Sequence, residues 1–314
     1  MTTVLAMAAV MNLAACGGVK TGRLLGLDGG IFDALFEIDL DTGEGTVLHF
    51  FDVNPSGGGM VVGPDGTLYA AFSGAIDELV IVAPETGEVS FVGPFGFSAV
   101  SGLAFGSDGT LYGFDNISKQ LITIDPLTGE GTAVGFVVTS GTGLAFTPDG
   151  TLYLVGSPGG VPGLYTVDPG TGKGTLVGTF GSDFTSTEGL TVIGDVLYAS
   201  GHRCDPPSFD VLVTLDRETG EATQIGPYCS GGCKDGPYMN GLAFLPGPGD
   251  VDRDGDVDLD DFSIFQLCFT GPLEIEEPLP VECQVLDTDK DNDLDLRDFA
   301  VFQAGFTGPN DIDD

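Results

Sequence analysis

Twelve aspartates near the C-terminal end of the chain fall into two sets with the same spacing. Asp250, Asp252, Asp254, Asp256, Asp258 and Asp261 occupy positions 1, 3, 5, 7, 9 and 12 of one twelve-residue segment. Asp287, Asp289, Asp291, Asp293, Asp295 and Asp298 occupy the same positions of a second. Calcium takes about six to eight hard oxygen ligands in a flexible shell, and a loop with donors at these positions supplies them. Positions 1, 3, 5 and 12 would ligate through carboxylates, position 7 through its backbone carbonyl, and position 9 directly or through water. Position 6 has to turn sharply, which suits Gly255 and is tolerated by Asn292. The expectation is two calcium ions, one per loop. Without metal the carboxylates repel: a like-charged pair about 4 Å apart costs up to roughly 4 kcal/mol at an effective dielectric of 20. The tail should therefore be poorly ordered without calcium and compact with it.

The segments that follow must position these loops. Phe262, Phe265 and Phe269 recur at i, i+3, i+7, as do Phe299, Phe302 and Phe306, so the spacing predicts a helix with one aromatic face after each loop. Gly271-Pro272 and Gly308-Pro309 would stop the two helices. Val257 and Leu294, the apolar residues at position 8, point to loops paired back to back through a short strand contact. A core of about 65 residues is near the lower size limit and calls for a staple. Calcium is one. A Cys268–Cys283 disulfide is the other, worth roughly 3 kcal/mol for a loop of about 15 residues in the chain-entropy account.

Residues 249–309 resemble a dockerin, in the form found at the C-termini of secreted bacterial surface proteins: two EF-hand-like calcium loops, each followed by one helix. The resemblance implies that the face carrying loop positions 10 and 11 recognises a cohesin-like or cell-surface protein partner. Those positions are Leu259 and Asp260, then Leu296 and Arg297. Dockerins of cellulose-degrading complexes carry small hydroxyl residues there and basic residues further along the helix, where this chain has Gln266 and Gln303.

Composition narrows the setting. The chain has 314 residues, with 10 Lys and Arg against 47 Asp and Glu, a formal net charge of −37. Residues 250–314 hold 20 acidic and 3 basic residues, a net of −17. Such a chain repels nucleic acid and anionic lipid, and suits cations. The first 15 residues form an apolar run too short to span a bilayer and read as an export signal. Leu13-Ala14-Ala15-Cys16 resembles a bacterial lipobox, which implies lipidation of Cys16, an outer-membrane lipoprotein and a lipid anchor; ordinary secretion is the alternative. No other segment reads as a transmembrane helix. Six cysteines in an exported chain imply disulfides. Cys204 is expected to pair with Cys229 or Cys233, against the alternative of a metal site built from His202, Cys204, Cys229 and Cys233.

Residues 20–246 are a repeat of about 42 to 48 residues. The unit runs through a first strand ending Gly-Leu-Ala-Phe, an Asp-Gly turn, a second strand, a Thr-Gly turn and a final Val-Gly. The first strand recurs at Gly59–Val62, Gly102–Phe105, Gly143–Phe146, Gly189–Val192 and Gly241–Phe244, and the Thr-Gly turn at Thr42, Thr86, Thr128, Thr171 and Thr219. Asp-Gly between alternating strands signals two-residue hairpins in which both turn residues have positive φ. Four short strands at this period mean propeller blades. The chain enters at a second strand near Leu24–Leu27 and leaves at a first strand, 241–246, so the two ends complete one split blade. The predicted fold is an all-β five-bladed β-propeller of four-stranded blades over 16–246, a linker at 247–249 and a small α-helical calcium module over 250–314. This body resembles bacterial secreted β-propeller repeats, a pattern tied to no single activity.

Tyr69, Tyr112, Tyr153 and Tyr198 share one position and should pack between sheets. Asp39, Asp125, Asp168 and Asp216 share another and should cap turns. No nucleophile–histidine–acid setting or phosphate-cradling loop stands out. The least repetitive stretch, 201–240, is where a ligand site would lie. The leading functional expectation is an exported, cell-surface or extracellular calcium-binding protein in which the tail docks the propeller to a scaffold. The alternative is a secreted carbohydrate-active hydrolase acting on polysaccharide, with a dockerin attached.

Overall fold

The computed structural model describes residues 21–30, 32–53, 55, 58–73, 77–137, 140–157, 161–203, 209–229, 236–270 and 279–306. The chain divides into two compact units. One comprises Leu24–Gly63 and Thr67–Phe244; the other takes in Leu245–Asp314.

The first unit is five antiparallel sheets of four strands. Its strands are β1 (Arg23–Asp28), β2 (Ala34–Ile38) and β3 (Gly45–Phe50), then β4 (Met60–Val62), β5 (Leu68–Phe72), β6 (Glu78–Val82) and β7 (Val89–Pro94). The third blade is β8 (Val100–Phe105), β9 (Leu111–Asp115), β10 (Gln120–Ile124) and β11 (Gly131–Phe136). The fourth is β12 (Gly143–Phe146), β13 (Leu152–Gly156), β14 (Gly163–Val167) and β15 (Gly174–Thr179). The fifth is β16 (Phe184–Ile193), β17 (Val196–Arg203), β18 (Asp210–Leu215) and β19 (Ala222–Pro227), and β20 (Met239–Leu245) follows. β20 joins β1–β3 in the order β20-β1-β2-β3, so the two ends of the propeller share one blade and the circle closes by hydrogen bonding. This is the five-bladed propeller with a split closing blade that the repeat predicts.

Burial alternates within each blade. Second and third strands are almost wholly buried, whereas outer strands are exposed at every second or third residue. Apolar clusters lie between successive blades, and the shared tyrosines fill them. Tyr69 packs on Phe105 of the next blade at 5.6 Å between ring centroids, and Tyr112 on Phe146 at 5.4 Å. Tyr153 joins the core of the fifth blade.

One glycine in every repeat, and a second in four of the five, exist because backbone meets backbone; the first blade has His49 in the second place. The inner strands β4, β8, β12, β16 and β20 carry Gly59-Met60, Gly102-Leu103, Gly143-Leu144, Gly189-Leu190 and Gly241-Leu242 around the central channel. A β-carbon on Gly143 would lie 2.6 Å from the Leu190 nitrogen, and one on Gly241 2.4 Å from the Gly58 carbonyl. The second glycine follows a bulge. In the β10–β11 pair the register skips Val134, and Gly135 faces Leu121. The bulged Val134 packs into the inter-blade core, and a β-carbon on Gly135 would lie 2.0 Å from the Thr171 carbonyl of the next blade's Thr-Gly turn. Gly93, Gly178 and Gly226 meet Thr128, Thr219 and Thr42 in the same way.

The Asp-Gly turns differ from the expected two-residue hairpin. Only the glycines, Gly66, Gly109 and Gly150, have positive φ. The Gly106 N–H donates to the Thr110 carbonyl and the Gly109 N–H to the Gly106 carbonyl, which makes a three-residue loop with a left-handed glycine at its end. Asp108 and Asp149 stay right-handed because each carboxylate accepts the N–H two residues on, Thr110 and Thr151, at 3.0 and 2.9 Å.

The second unit contains α1 (Leu259–Cys268), a short 3-10 segment (Val281–Leu286) and α2 (Leu296–Gly305). Its core is the predicted phenylalanine cluster: Phe265 lies 5.2 Å from Phe302 and 5.5 Å from Phe299, and the Cys268–Cys283 disulfide borders it. The helices end earlier than expected, at Cys268 and Gly305, with Phe269 and Phe306 as extended C-caps. The Gly-Pro pairs lie outside the described residues. Among the described residues no helix is long and apolar enough to cross a membrane.

Gly135→Ala is expected to destabilise the propeller by about 1–3 kcal/mol, because the added methyl meets a neighbouring blade's backbone that cannot retreat alone. Chemical denaturation followed on the propeller transition measures it; a cost near that of an exposed strand Gly→Ala change contradicts the close-approach account.

Candidate metal centre

Each acidic loop is shaped by its own side chains. The position-12 carboxylate draws the ends together. Asp261 accepts the N–H groups of Val251 at 2.5 Å, Asp252 at 3.2 Å and Asp258 at 2.9 Å. Asp298 accepts the Thr288 N–H and hydroxyl at 2.8 and 3.0 Å and the Asp295 N–H at 3.0 Å. Asp252 and Asp254 accept the N–H two residues on, at 3.3 and 3.1 Å. Position 6 is left-handed as expected (Gly255 φ 97°, Asn292 φ 67°). Position 4 is left-handed too, at Arg253 and Lys290, which the side-chain pattern alone does not reveal.

The loops also start the helices. Asp258 and Asp295 at position 9 are N-caps, and Asp261 and Asp298 at N3 close a capping box in each. The spacing Asp-x-x-Asp before an aromatic run carried that signal.

The carboxylates collect into four groups, in each of which one oxygen per residue lies within 4.8 Å of the others. These are Asp250, Asp252 and Asp254; Asp256, Asp258 and Asp261; Asp287, Asp289 and Asp291; and Asp293, Asp295 and Asp298. Each loop thus gathers its six predicted residues into two trios, positions 1, 3 and 5 and positions 7, 9 and 12, which do not merge into one group. The side chain of position 7 stands with those of 9 and 12, beyond the backbone role the sequence suggests for it. Asp250 is fully buried, and neither of its oxygens is engaged by a hydrogen bond. One oxygen of Asp287 is in the same condition. Burial, then the charges of Asp261, Asp254 and Asp252, push the Asp250 carboxyl up to about 8. Burial, Asp261 and Asp254 push Asp252 to about 7. Each loop has a basic residue near its acids, Arg253 near Asp250 in the first and Arg297 near Asp291 in the second, against six carboxylates, and buried carboxylates with unused oxygens in such excess fit a hard divalent cation.

The surroundings hold one correction. Val257 and Leu294 are fully buried, but the backbone of Leu294 is taken by Thr270. The Thr270 N–H donates to the Leu294 carbonyl at 3.1 Å, and the Leu294 N–H donates to the Thr270 hydroxyl at 2.8 Å. The segment after the first helix, not the other loop, thus provides the strand-like partner. The recurrence of Phe-Thr-Gly-Pro in both repeats was the overlooked cue. Arg297 at position 11 reaches over the second loop to Asp291 and Asp289, at 3.4 and 3.8 Å, from an exposed position.

Elsewhere, Asp39, Asp125, Asp168 and Asp216 cap turns as expected: Asp216 accepts the N–H groups of Glu218 and Thr219 at 2.9 and 2.7 Å. Cys229 is disulfide-bonded, which removes it from the alternative metal site with His202. Cys204, Cys233, Cys16 and the export signal lie outside the described residues. Within 201–240, His202 donates through Nδ1 to Asp210 Oδ1 at 2.5 Å and stacks on Tyr238 at 5.9 Å, 17° from parallel. Glu188 at the inner end of this cluster was not singled out by the sequence. Burial, then the Asp210 charge, raises it to about 7 against the pull of His202. The hydrogen bond that His202 donates to Asp210 raises His202, and burial raises Asp210.

No family model matches the sequence, and a search of curated proteins finds no match. Among solved structures, a chain of a nidogen/laminin complex superposes with a TM-score of 0.50 at 10% identity, covering 71% of this chain and 98% of that one. A protein of unknown function from Bacteroides thetaiotaomicron gives 0.49 at 16% identity, covering 76% and 67%. TolB from Acinetobacter baumannii gives 0.44 at 17% identity, covering 71% and 57%. The likeness is one of fold.

Because folding lifts Glu188 from its ordinary 4.5 to about 7, the folded state binds more protons than the unfolded one between those values. Stability must therefore fall as pH rises through that window. His202 acts in the same sense: its contribution is complete below the ordinary 6.5 and lost as pH passes its raised value. Glu188→Gln is expected to flatten the decline of propeller stability between about pH 5 and about pH 8, by up to roughly 3 kcal/mol. Denaturation across that range at constant calcium checks it, and an unchanged slope contradicts the assignment.

Proposed function

We propose that the chain is an exported protein whose C-terminal unit binds two calcium ions as a dockerin-like module and docks the propeller, a rigid binding body, to a protein partner. The observation that carries the reading is the doubled acidic cradle with Asp250 buried and unengaged at its first position. Asp250, Asp252, Asp254, Asp256, Asp258 and Asp261 would hold one ion, and Asp287, Asp289, Asp291, Asp293, Asp295 and Asp298 the other. The ions would supply the positive charge that Arg253 and Arg297 alone do not, and so reinforce the capping boxes that start the two helices. A cohesin-like or cell-surface partner is supported by the apolar side chains left exposed at position 10 of both loops, Leu259 (50%) and Leu296 (57%), and by Leu267 near the end of α1 at 87%. Export is supported by the disulfides and by the apolar N-terminal run, and lipid attachment by Cys16 behind it.

Titration calorimetry of the full chain is expected to show saturable uptake of two calcium equivalents. Asp250→Ala and Asp287→Ala should each abolish one of them, and chelator should expose α1 and α2 to protease. Absence of uptake, or uptake indifferent to both substitutions, overturns the reading.

A further inference from the structure

The second acidic loop is held at its middle by a residue of neither loop. Leu294, at position 8, stands between Asp293 and Asp295 and is fully buried. Its N–H donates to the Thr270 hydroxyl at 2.8 Å. Its carbonyl accepts from the Thr270 N–H at 3.1 Å and from the hydroxyl at 3.4 Å. Thr270 follows the C-cap of α1.

These bonds act on the ligand positions through the planarity of the peptide unit, in which N–H and C=O point in opposite directions. The Leu294 N–H shares its unit with the Asp293 carbonyl. Bonding it to Thr270 therefore turns that carbonyl, the backbone donor expected at position 7, away from Thr270. The Leu294 carbonyl shares the next unit with the Asp295 N–H, which is seated on the position-12 carboxylate of Asp298 at 3.0 Å. Thr270 thus grips two successive peptide planes. The far edge of one is an expected calcium donor, and the far edge of the other is bonded to an expected donor.

Thr270 is itself tied to the entrance of the same loop. Cys268, just before it on α1, is bonded to Cys283 in the 3-10 segment, and that segment runs directly into Asp287 at position 1. The Asp287 N–H donates to the Gln284 carbonyl at 3.3 Å, and Gln284 Nε2 donates to the Leu279 carbonyl at 2.9 Å. The Leu279 N–H then donates to the side-chain oxygen of Asn292 at position 6, at 3.3 Å. The second helix has Gly305 where the first has Cys268, so this covalent tie serves the second loop alone. Thr307, the counterpart of Thr270, lies outside the described residues.

We propose that Thr270 is a positioning residue for the second calcium site and sets its affinity from outside the loop. The inference deepens the calcium reading and rests on it. Loss of the hydroxyl leaves the buried Leu294 N–H without this acceptor and lets the position-7 peptide turn, while the first loop keeps its own geometry.

Each loop carries an arginine whose backbone amide reports on it separately. Arg253 is position 4 of the first, and the Arg297 N–H of the second donates to Asp295 at 2.6 Å. The full chain, labelled with heavy nitrogen in arginine only, is titrated with chelator-buffered calcium and followed by NMR, with the Arg203 and Arg217 amides as propeller references. Thr270→Val, which keeps the bulk and removes the hydroxyl, is expected to weaken the Arg297 response at least about tenfold and to leave that of Arg253 within about twofold. Thr270→Ser, which keeps the hydroxyl, should hold the second-loop affinity within about threefold of the unaltered chain. Undiminished second-loop affinity in Thr270→Val, equal weakening at both loops, or a Thr270→Ser chain as weak as Thr270→Val overturns the proposal and leaves the calcium reading standing. No response of either amide in the unaltered chain overturns the calcium reading and this proposal with it.

Discussion

The propeller depends on how closely its blades approach one another. Where Gly143 meets Leu190 and Gly135 meets Thr171, there is no room for a β-carbon, so neighbouring sheets touch through their backbones. The rest follows from that distance. The inner strands converge until five Gly-Leu or Gly-Met pairs line the channel. The shared tyrosines then fill the wedge that opens outward between sheets, and the bulged Val92, Val134, Val177 and Ile225 pack beside them. Glycine is retained at these places in spite of its entropic disadvantage in a strand, because any side chain would push the blades apart.

The same logic explains what could be read from the sequence. Blade number, strand count and the split closing blade were legible because turn residues recur with fixed chemistry: Thr-Gly and Asp-Gly mark the ends of strands, and the ends of the repeat are out of phase by one strand. The Val-Gly ending was visible as a repeat but not as a bulge, since its meaning lies in a neighbouring blade. The twelve aspartates were legible because ligand spacing within one loop is local. The contact between Thr270 and Leu294 was not, because it joins residues 24 apart with no periodic relation. Glu188 was hidden for a similar reason. One acid among 47 acquires its character first from burial and then from the charge of Asp210, neither of which is written in its own neighbourhood of the sequence.

The two units solve the problem of size in opposite ways. The propeller buries enough apolar surface between blades to tolerate a few polar irregularities. The small unit has one phenylalanine cluster and a disulfide, and it places carboxylates such as Asp250 and Asp261 inside, where they oppose its own compaction until a countercharge arrives. If the loops bind cations as proposed, its folded population follows the ionic composition of its surroundings, whereas that of the propeller follows packing.

The split blade also imposes an order of assembly. β1 emerges from the ribosome early, yet the strand that covers its inner edge is β20, and the bond from Tyr238 to Asp28 spans 210 residues. Until the final strand is made, Leu24, Leu25 and Leu27 sit on an open edge, ready to pair with another chain. A nascent molecule of this kind needs sheltering until β20 is made, and a truncation that removes only β20 would leave a horseshoe prone to polymerise through its gap.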